Sequence, residues 1–407
     1  MNNTTRNRII EEVAGSIDIP DSAYEKADAR YKDLGEWFGR KEARCHAFDP
    51  HIYSQGSFRL GTVIRPVDDD GEYDLDMGCR LRVGVTKKTH AQQHLKELVG
   101  ADLEDYRVAR GIKEKSEEKH RCWRLKYAYT LKFHLDTVPS IPETLERRRI
   151  IQEAIVRTGA QAGLASSVAN LTGAITDNRR WNYKIIHDDW LLSNSEGFAL
   201  WFESRMKLAR ALMESLAVQA RAAKLDALPA YWWKSPLQRC VQLLKRHRDM
   251  FFADDPDGKP ASIIITTLSA MAYQGEAEIA DALETILTTM GVFVNLTTPR
   301  VPNPVNPVED FADKWSAPES RHQNLEVKFW NWLRQAQIDF ETIGKEHKPE
   351  LIVEMARNNF GASLNAKDLS TKLGIGGLLK PAAVPAGLSF PDKPLIPKKP
   401  AGFAYRF

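Results

Sequence analysis

The chain has 407 residues, of which 43% are apolar and 27% are charged, with a formal net charge of +3 at pH 7. This length and composition are ordinary for a soluble protein of two domains, and no apolar run approaches the ~20 residues that cross a bilayer. The small net charge argues against a protein that grips duplex DNA.

The first predicted element is an amphipathic helix over residues 21–45, with Asp21 or Ser22 as its N-cap. Apolar residues recur there at helical spacing from Tyr24 to Phe38. Within residues 46–140, apolar and polar residues then alternate, which predicts β-strands, and one helix is expected near residues 90–100.

A Gly-Ser turn, Gln55-Gly56-Ser57, follows the first predicted strand. Gly56 allows the backbone to approach a phosphate closely, and a helix starting at about Ser57 would aim its free N–H groups at that phosphate. Gln55 is a further candidate for this phosphate site. Two interpretations of Arg59 stay open: it lines this site, or it lies on the protein surface.

Two aspartates, Asp74 and Asp76, lie in the next apolar run. Side chains two apart on a strand share one face, roughly 6.5–7 Å apart, so both carboxylates would point the same way. Leu75 and Met77 would point into apolar packing. Paired carboxylates suit Mg²⁺ or Mn²⁺, because these hard cations prefer oxygen ligands.

A third carboxylate, Asp136, lies in a later strand-like run that follows another at residues 121–127. Pro139 is expected to end this strand. A carboxylate in an apolar strand is costly unless it is paired or binds metal. Taken singly, such a residue is more often a turn cap, but the upstream Gly-Ser turn and aspartate pair favour a metal ligand.

The second half is predicted to be a bundle of helices separated by short polar loops. The expected helices are 145–160, 197–223, 236–249, 262–272, 308–314 and 324–337, with a surface loop at 296–307. The last 27 residues contain six prolines, which predicts an extended tail.

These motifs resemble the signature of the polymerase-β-type nucleotidyltransferase superfamily. The segment Trp190–Gly197 and the lysine-bearing helix at 237–249 further resemble the bacterial cyclic-oligonucleotide synthases of CBASS anti-phage systems, the cGAS/DncV-like enzymes or CD-NTases. Ser195 stands where that family usually has proline. The similarity covers roughly residues 20–335, including segments 260–272, 303–304 and 309–315.

The resemblance implies an α+β, bilobal fold: a polymerase-β-like mixed sheet with helices, plus an oligoadenylate-synthase-like helical bundle. It divides the chain into an N-terminal spine helix at 1–45, a catalytic core at 46–200, a helical substrate-binding domain at 201–375 and a Pro-rich tail at 376–407.

The implied reaction joins nucleoside triphosphates, with ATP and GTP expected, into a purine-containing cyclic di- or trinucleotide and releases pyrophosphate. Asp74 and Asp76 would hold the metal on the donor triphosphate, and Asp136 would complete a second metal site and orient the acceptor hydroxyl. Ser57 would donate to the phosphates. Lys245 would add a positive charge and Ser262 a hydroxyl.

Base recognition is less defined by the sequence. Asn194 is a candidate for contacting a base edge, although a helix N-cap is an equally good interpretation. Tyr53, Trp201 and Tyr273 are candidates for stacking on a base, but buried core aromatics are commoner than base platforms.

Two other functions stay open: a template-free synthase of linear oligoadenylate or RNA tails, and a degenerate nucleotide-binding scaffold. Expected partners are nucleoside triphosphates and CBASS accessory proteins bound through the tail, with no duplex DNA and no membrane. The absence of an apolar leader and of any CxxC pair predicts a cytoplasmic protein with reduced thiols.

Overall fold

The computed structural model describes residues 3–67, 71–127, 133–206 and 234–374. The acidic run at 68–70, the predicted tail at 376–407 and the part of the predicted helix beyond residue 206 lie outside the described residues. Within them, a mixed sheet and a set of packed helices form two halves, which confirms the predicted α+β fold.

Two helices, not one, open the chain: α1 spans Asn3–Ser16 and α2 spans Asp21–Gly39. The sequence analysis missed α1 and extended α2 to residue 45. The structure ends α2 earlier, and a 3₁₀ turn follows at His46–Phe48. α2 buries aromatic side chains against the sheet, whereas α1 packs in the core of the helical half. The N-terminal region therefore contributes to both cores.

The sheet contains seven strands among the described residues, in the order β1-β2-β5-β4-β3, with β6 and then β7 continuing beside β5. β2 and β5 are parallel, and the other neighbouring pairs are antiparallel. The strands are β1 Pro50–Ser54, β2 Tyr73–Leu81, β3 Glu117–Glu118, β4 Trp123–Tyr127, β5 Phe133–Pro142, β6 Gly173–Ile175 and β7 Leu191–Ser193.

Pro139 does not end β5 as predicted, because the strand continues to Pro142. On one side of β5, pairing with β4 stops at Thr137 and pairing with β6 starts at Ser140. Pro139 therefore lies where the strand changes neighbour. A residue without an N–H group is compatible with that interruption in the ladder.

In the second half, the predicted helices at 145–160, 236–249 and 262–272 are present, and the one predicted at 324–337 continues to Lys345. The helices at Ala162–Asn170, Ile279–Thr289, Pro349–Phe360 and Ala366–Lys372 were not predicted. The helix Pro236–Phe251, α8, begins with a capping box, in which the Ser235 and Gln238 side chains each bond the other residue's backbone N–H. The helices are α3 Gly56–Leu60, α4 Gln92–Ala109, α5 Leu145–Arg157, α6 Ala162–Asn170, α7 Ser195–Arg205, α8 Pro236–Phe251, α9 Ser262–Ala272, α10 Ile279–Thr289, α11 Leu325–Lys345, α12 Pro349–Phe360 and α13 Ala366–Lys372.

The predicted helix at 308–314 is wrong. A short antiparallel hairpin forms instead, with β8 at Pro302–Asn303 and β9 at Asn306–Asp310, followed by a 3₁₀ turn at Asp313–Trp315. Residues up to Asp310 pair with Pro302 and Asn303 in this hairpin, and the prolines nearby are tolerated in short edge strands. The predicted loop at 296–307 thus contains part of this hairpin.

Candidate active site

Three carboxylates lie on one face of the sheet. Along β2, Tyr73, Leu75 and Met77 are buried, while Asp74 is exposed and Asp76 is half-buried. The parallel register of β2 and β5 then sets Asp76 opposite Asp136. Strand alternation and register together therefore give Asp74, Asp76 and Asp136 a common direction.

Asp76 lies in a crowded anionic position. Burial, followed by the negative charges of Asp74 and Asp136, raises its pKa to about 7, and the charges of Arg124 and Lys245 offset only part of this rise. A carboxylate that is reluctant to ionise beside two others marks a place where a cation would be favoured.

Gly56 lies directly against the Asp76 carboxylate. A Cβ added to Gly56 would be 2.0 Å from Asp76 Oδ2, and the backbone φ of Gly56 is +65°, so only glycine fits without strain. Gly56 also begins the one-turn helix α3, which contains Ser57. The Gly-Ser turn and the aspartates are thus in direct contact.

Asp136 does not converge with the other two carboxylates in this structure. It accepts two hydrogen bonds from Arg124, from Nε at 2.7 Å and from Nη2 at 2.6 Å. Asp74 faces His134, whose Nδ1 is 3.6 Å from Asp74 Oδ1. Among the described residues, no three His, Cys, Asp or Glu side chains are close enough together to hold one ion.

A cavity of about 490 Å³ opens between this sheet face and the helical half. Six of the predicted site residues line it: Gly56, Ser57, Asp74, Asp76, Lys245 and Ser262. Gln55 lies beside it as the N-cap residue of α3. Its side chain donates to Met77 O at 3.1 Å and accepts from Ser195 Oγ at 2.8 Å, which fixes the turn between β2 and α7.

The helical wall of this cavity supplies positive charge. Lys245 is buried and donates to Thr62 O at 2.8 Å. Burial, followed by the charge of Arg248, lowers the pKa of Lys245 to about 8, against the opposing effect of Asp249, Asp76 and Asp74.

Ser262, on the same wall, accepts a hydrogen bond from Arg248 Nη1 at 2.9 Å. Arg248 was not predicted to belong to the site, and it lines the cavity as well. Lys259 lines this side as well, so an anion in the cavity would meet three cations there, one of which, Arg248, is also paired with Asp249 at 2.7 Å.

Four side chains on one face of α8 hold the extended segment that follows α3. Gln238 Nε2 donates to Leu60 O at 2.9 Å and Gln242 Nε2 donates to Val63 O at 2.6 Å. Lys245 adds its bond to Thr62 O, and Arg246 donates to Arg65 O. We call Gln238, Gln242, Lys245 and Arg246 the α8 donor row, and Leu60–Arg65 the 60–65 segment.

Asn194 is a helix cap, so its predicted base contact is not supported. Its Oδ1 accepts from Gly197 N at 3.0 Å at the start of α7, and its Nδ2 donates to Val168 O at 2.9 Å and to Thr172 Oγ1 at 3.1 Å. Both ends of the amide are therefore committed. Asn194 still lines a smaller cavity of about 210 Å³, together with Gly56 and Arg59, and Arg59 is paired with Glu203.

The three aromatic candidates for base stacking belong to the packing of the two halves. Tyr53 is buried, and the guanidinium of Arg80 lies 5.0 Å from its ring centroid. Tyr273 is buried and Trp201 packs on Phe198, with ring centroids 5.2 Å apart. None of the three lines either cavity described above.

Besides Arg248, two further residues that were not predicted belong to the site. Tyr73 lines the larger cavity and stacks on Phe133, with ring centroids 5.4 Å apart. Its position just before the first aspartate was an available signal. Arg124 could have been found only from the β4–β5 register, which places it opposite Asp136.

Comparisons with known proteins agree with this geometry. Residues 50–139 match the family model of the nucleotidyltransferase domain of DncV-like cyclic GMP-AMP synthases. A c-di-GMP synthase of Roseivirga ehrenbergii is 25% identical over 86% of this chain and 83% of its own length. The cyclic dinucleotide synthase CdnG of Bradyrhizobium diazoefficiens is 26% identical over 77% of this chain and 71% of its own length.

Solved structures show the same fold. The structure of CdnG from Bradyrhizobium diazoefficiens, determined with GTP, superposes with a TM-score of 0.60 at 22% identity, covering 91% of this chain and 98% of CdnG. The cyclic AMP-GMP synthase DncV of Vibrio cholerae superposes with a TM-score of 0.51 at 15% identity, covering 90% of this chain and 88% of DncV.

The mixed sheet, the Gly-Ser turn and the matched catalytic domain define a nucleotidyltransferase. Within that class, residues 50–139 match the DncV-like nucleotidyltransferase domain, and the chain is similar over most of its length to cyclic dinucleotide synthases of the CD-NTase type. In the part of the chain that the structure describes, no helix is both long and apolar enough to cross a membrane.

Proposed function

We propose that this enzyme is a metal-dependent cyclic dinucleotide synthase that uses purine nucleoside triphosphates, with GTP among them. A ribose hydroxyl of one nucleotide attacks the α-phosphorus of another and loses its proton, and pyrophosphate leaves. A second such step closes the ring, so that two triphosphates give one cyclic dinucleotide and two pyrophosphates.

The observation that carries this proposal is the carboxylate face of the sheet. Asp76 is in register with Asp136, Asp74 shares their face, and the Gly56-Ser57 turn lies directly against them. Carboxylate pairs beside a phosphate-binding turn suit phosphoryl-type transfer, which depends on positioning and charge neutralisation.

The donor set fits Mg²⁺ or Mn²⁺. All three side chains offer oxygen atoms, and the pKa of Asp76 is raised by burial and then by the charges of Asp74 and Asp136, a repulsion that a divalent cation would relieve. Asp74 and Asp76 would hold one ion, and Asp136 would complete the site of a second. When bound, the ions stabilise negative charge on the attacking and leaving oxygens.

Protein groups around the cavity then bind and orient the triphosphate. Ser57 and the free N–H groups at the start of α3 face the phosphate position, and Lys245 supplies a positive charge from the opposite wall. The volume of about 490 Å³ falls within the range of small-molecule sites. Asp136 would orient the acceptor hydroxyl.

The purine preference and the biological role rest on relatives. One curated relative is named a c-di-GMP synthase, and CdnG was solved with GTP, which supports guanine as one of the bases. The resemblance to anti-phage CBASS enzymes supports a second-messenger role in the cytoplasm. Binding of accessory proteins through residues 376–407 is part of the same proposal.

Product analysis tests the proposal. The purified full chain is incubated with Mg²⁺ or Mn²⁺ and with labelled ATP, GTP, CTP and UTP, singly and mixed, followed by chromatography and phosphatase treatment. We expect a phosphatase-resistant dinucleotide from GTP alone or from GTP with ATP, with two pyrophosphates per product. A phosphatase-sensitive ladder would identify a linear oligonucleotide synthase, and the lack of metal-dependent turnover would identify a scaffold.

A further inference from the structure

Arg124 and Asp136 form a two-point ion pair on the carboxylate face. They are directly opposite each other in the antiparallel β4–β5 ladder, and both guanidinium bonds are short, at 2.7 Å and 2.6 Å. The Arg124 side chain is 26% exposed and that of Asp136 is 15% exposed, so the pair is partly shielded from water. Such forked pairs fix geometry more strongly than single-point contacts.

Each oxygen of Asp136 already accepts a guanidinium hydrogen bond, which an arriving ion would have to share or displace. Among the described residues, Asp76, in register on the other side of β5, accepts no comparable pair of hydrogen bonds, and the ion-pair contact of Asp74 is with His134 at 3.6 Å. The first two carboxylates are therefore available to an ion, while the third is held by an arginine. This explains why no three-ligand cluster forms among the described side chains.

We propose that Arg124 is a latch: it holds Asp136 away from the ion site in the metal-free enzyme and releases it when a second divalent cation arrives. This inference rests on the proposed metal-dependent function. The latch lowers the repulsion among three crowded carboxylates before any ion binds. It also makes the second ion compete with a guanidinium, so the second site should be weaker than the first. Arg124 is in this view a positioning residue that acts through Asp136.

Lys126 provides a matched control. It lies two residues further along β4, so it is on the same face as Arg124, and it is half-buried. Its ion-pair partner is Glu114 at 3.9 Å, and among the described residues it makes no hydrogen bond to Asp136. Lys126→Gln therefore removes one positive charge from this face without breaking a bond to Asp136.

The experiment measures Mn²⁺ binding to the full-length, metal-free enzyme without nucleotide, by electron paramagnetic resonance of free Mn²⁺. We expect Arg124→Gln to tighten the weaker of two Mn²⁺ affinities roughly threefold to tenfold, which is the scale of one partly exposed ion pair. Lys126→Gln should change it less than about twofold, because it removes only long-range charge. Arg124→Lys, which keeps the charge but cannot fork, should fall between them and guards against misfolding of the first variant.

A second readout separates the latch from two other roles. In metal-free buffer, Arg124→Gln should unfold at lower urea concentration than the wild type, and saturating Mn²⁺ should remove that difference. A purely structural ion pair would lower stability without tightening Mn²⁺ binding. If Arg124 instead bound the triphosphate, Arg124→Gln would weaken the binding of a non-hydrolysable triphosphate measured in EDTA. Either result overturns the latch.

Failure of the proposed function gives a different pattern. If the wild type binds no Mn²⁺ and Asp76→Asn behaves identically, the metal-dependent function falls, and the latch falls with it. If the wild type binds Mn²⁺ but Arg124→Gln binds it no more tightly than Lys126→Gln, only the latch is wrong.

Discussion

The sheet wall of the larger cavity carries Asp74 and Asp76, with Asp136 in register beside Asp76 on β5, whereas the helical wall carries Lys245 and Arg248. The carboxylates are set by strand alternation and by register with a neighbouring strand. Lys245 is held by a hydrogen bond to Thr62 O, 183 residues away, and Arg248 by hydrogen bonds to Pro260 O and Ser262 Oγ at the start of α9. One wall is therefore organised by backbone pairing, and the other by side-chain hydrogen bonds.

This difference has an energetic consequence. On the sheet wall, burial and then the nearby charges of Asp74 and Asp136 raise the pKa of Asp76, and Arg124 and Lys245 offset only part of this rise, so a bound cation would relieve the remaining repulsion. On the helical wall, the α8 donor row satisfies buried carbonyl oxygens, which would be costly to leave unpaired. Changes on the sheet wall should therefore affect chemistry, and changes on the helical wall should affect stability.

Asp76→Asn gives the largest expected effect on activity. Removing a central carboxylate should lower product formation by at least about 10²–10³-fold, the scale for losing one group that stabilises the reacting charge. Stability at pH 8 should stay equal or rise. The folded pKa of about 7 exceeds the unfolded value, so ionised Asp76 destabilises the fold above pH 4, and the neutral amide removes that cost.

The comparison uses initial rates and urea unfolding, with Glu117→Gln on the exposed strand β3 as the control. A variant that loses activity only because it unfolds would place Asp76 in the packing of the sheet and not in its chemistry.

Gly56→Ala tests the contact between the turn and the carboxylate. Alanine would introduce strain of about 1–3 kcal/mol at positive φ, and its Cβ would displace Asp76 Oδ2. Gly111→Ala is a close control, since Gly111 has a φ of +64° and open space around the added Cβ. Both variants should lose similar backbone stability, but only Gly56→Ala should lose most of its turnover. Equal activity in the two variants would remove the turn from the site.

Gln242→Met tests the helical wall. It removes the donor to Val63 O and to Asp18 Oδ1, which should lower the free energy of unfolding by about 1–3 kcal/mol. The half-buried control Gln93→Met loses a side-chain bond to Glu97 and should lie within about 0.5 kcal/mol of the wild type. Urea titrations of the two variants and the wild type measure these free energies of unfolding. A variant that is stable but inactive would contradict the division between the two walls.

Lys245 gives the helical wall a pH dependence. With a pKa of about 8, its ammonium group loses its proton as pH rises from 7 to 9, so its contribution to triphosphate affinity should fall by up to about tenfold. Lys245→Arg keeps its charge throughout and should lack this component. Calorimetry with a non-hydrolysable triphosphate in EDTA compares the two proteins. The titration of Asp76 affects both equally, so only their difference is informative.

The same ionisation changes stability in the opposite direction. Because the folded pKa of Lys245 lies below its usual value of 10.5, the unfolded chain binds more protons between about pH 8 and 10.5, and stability should rise across that range. Parallel pH profiles of the wild type and Lys245→Arg, for both binding and unfolding, would contradict the pKa assignment.

Strand alternation made the sheet wall predictable, because period-two spacing alone sets Asp74 and Asp76 on one face. Two helices of the second half, α8 and α9, were also predicted to within two residues at each end, because their apolar spacing is regular. The local sequence pattern was sufficient to predict these elements because the contacts that determine them are between residues close in sequence.

Contacts between distant residues account for what the sequence analysis missed. Asn194 had two equally good interpretations, and only the position of Thr172 and Val168 shows its amide to be occupied. Arg124 carries no local signal of its pairing with Asp136, because that pairing depends on register. The hairpin at 302–310 was obscured because short edge strands between prolines have little period of their own.

The α8 donor row has a consequence for which amino-acid substitutions this protein can accept. All four of its side chains bind backbone carbonyl oxygens of the 60–65 segment, and a carbonyl is present whatever residue occupies the position. Substitutions within 60–65 can therefore accumulate without breaking the connection, whereas each of the four α8 positions must keep a long donor. Homologous chains should diverge in the segment while retaining the helix that holds it.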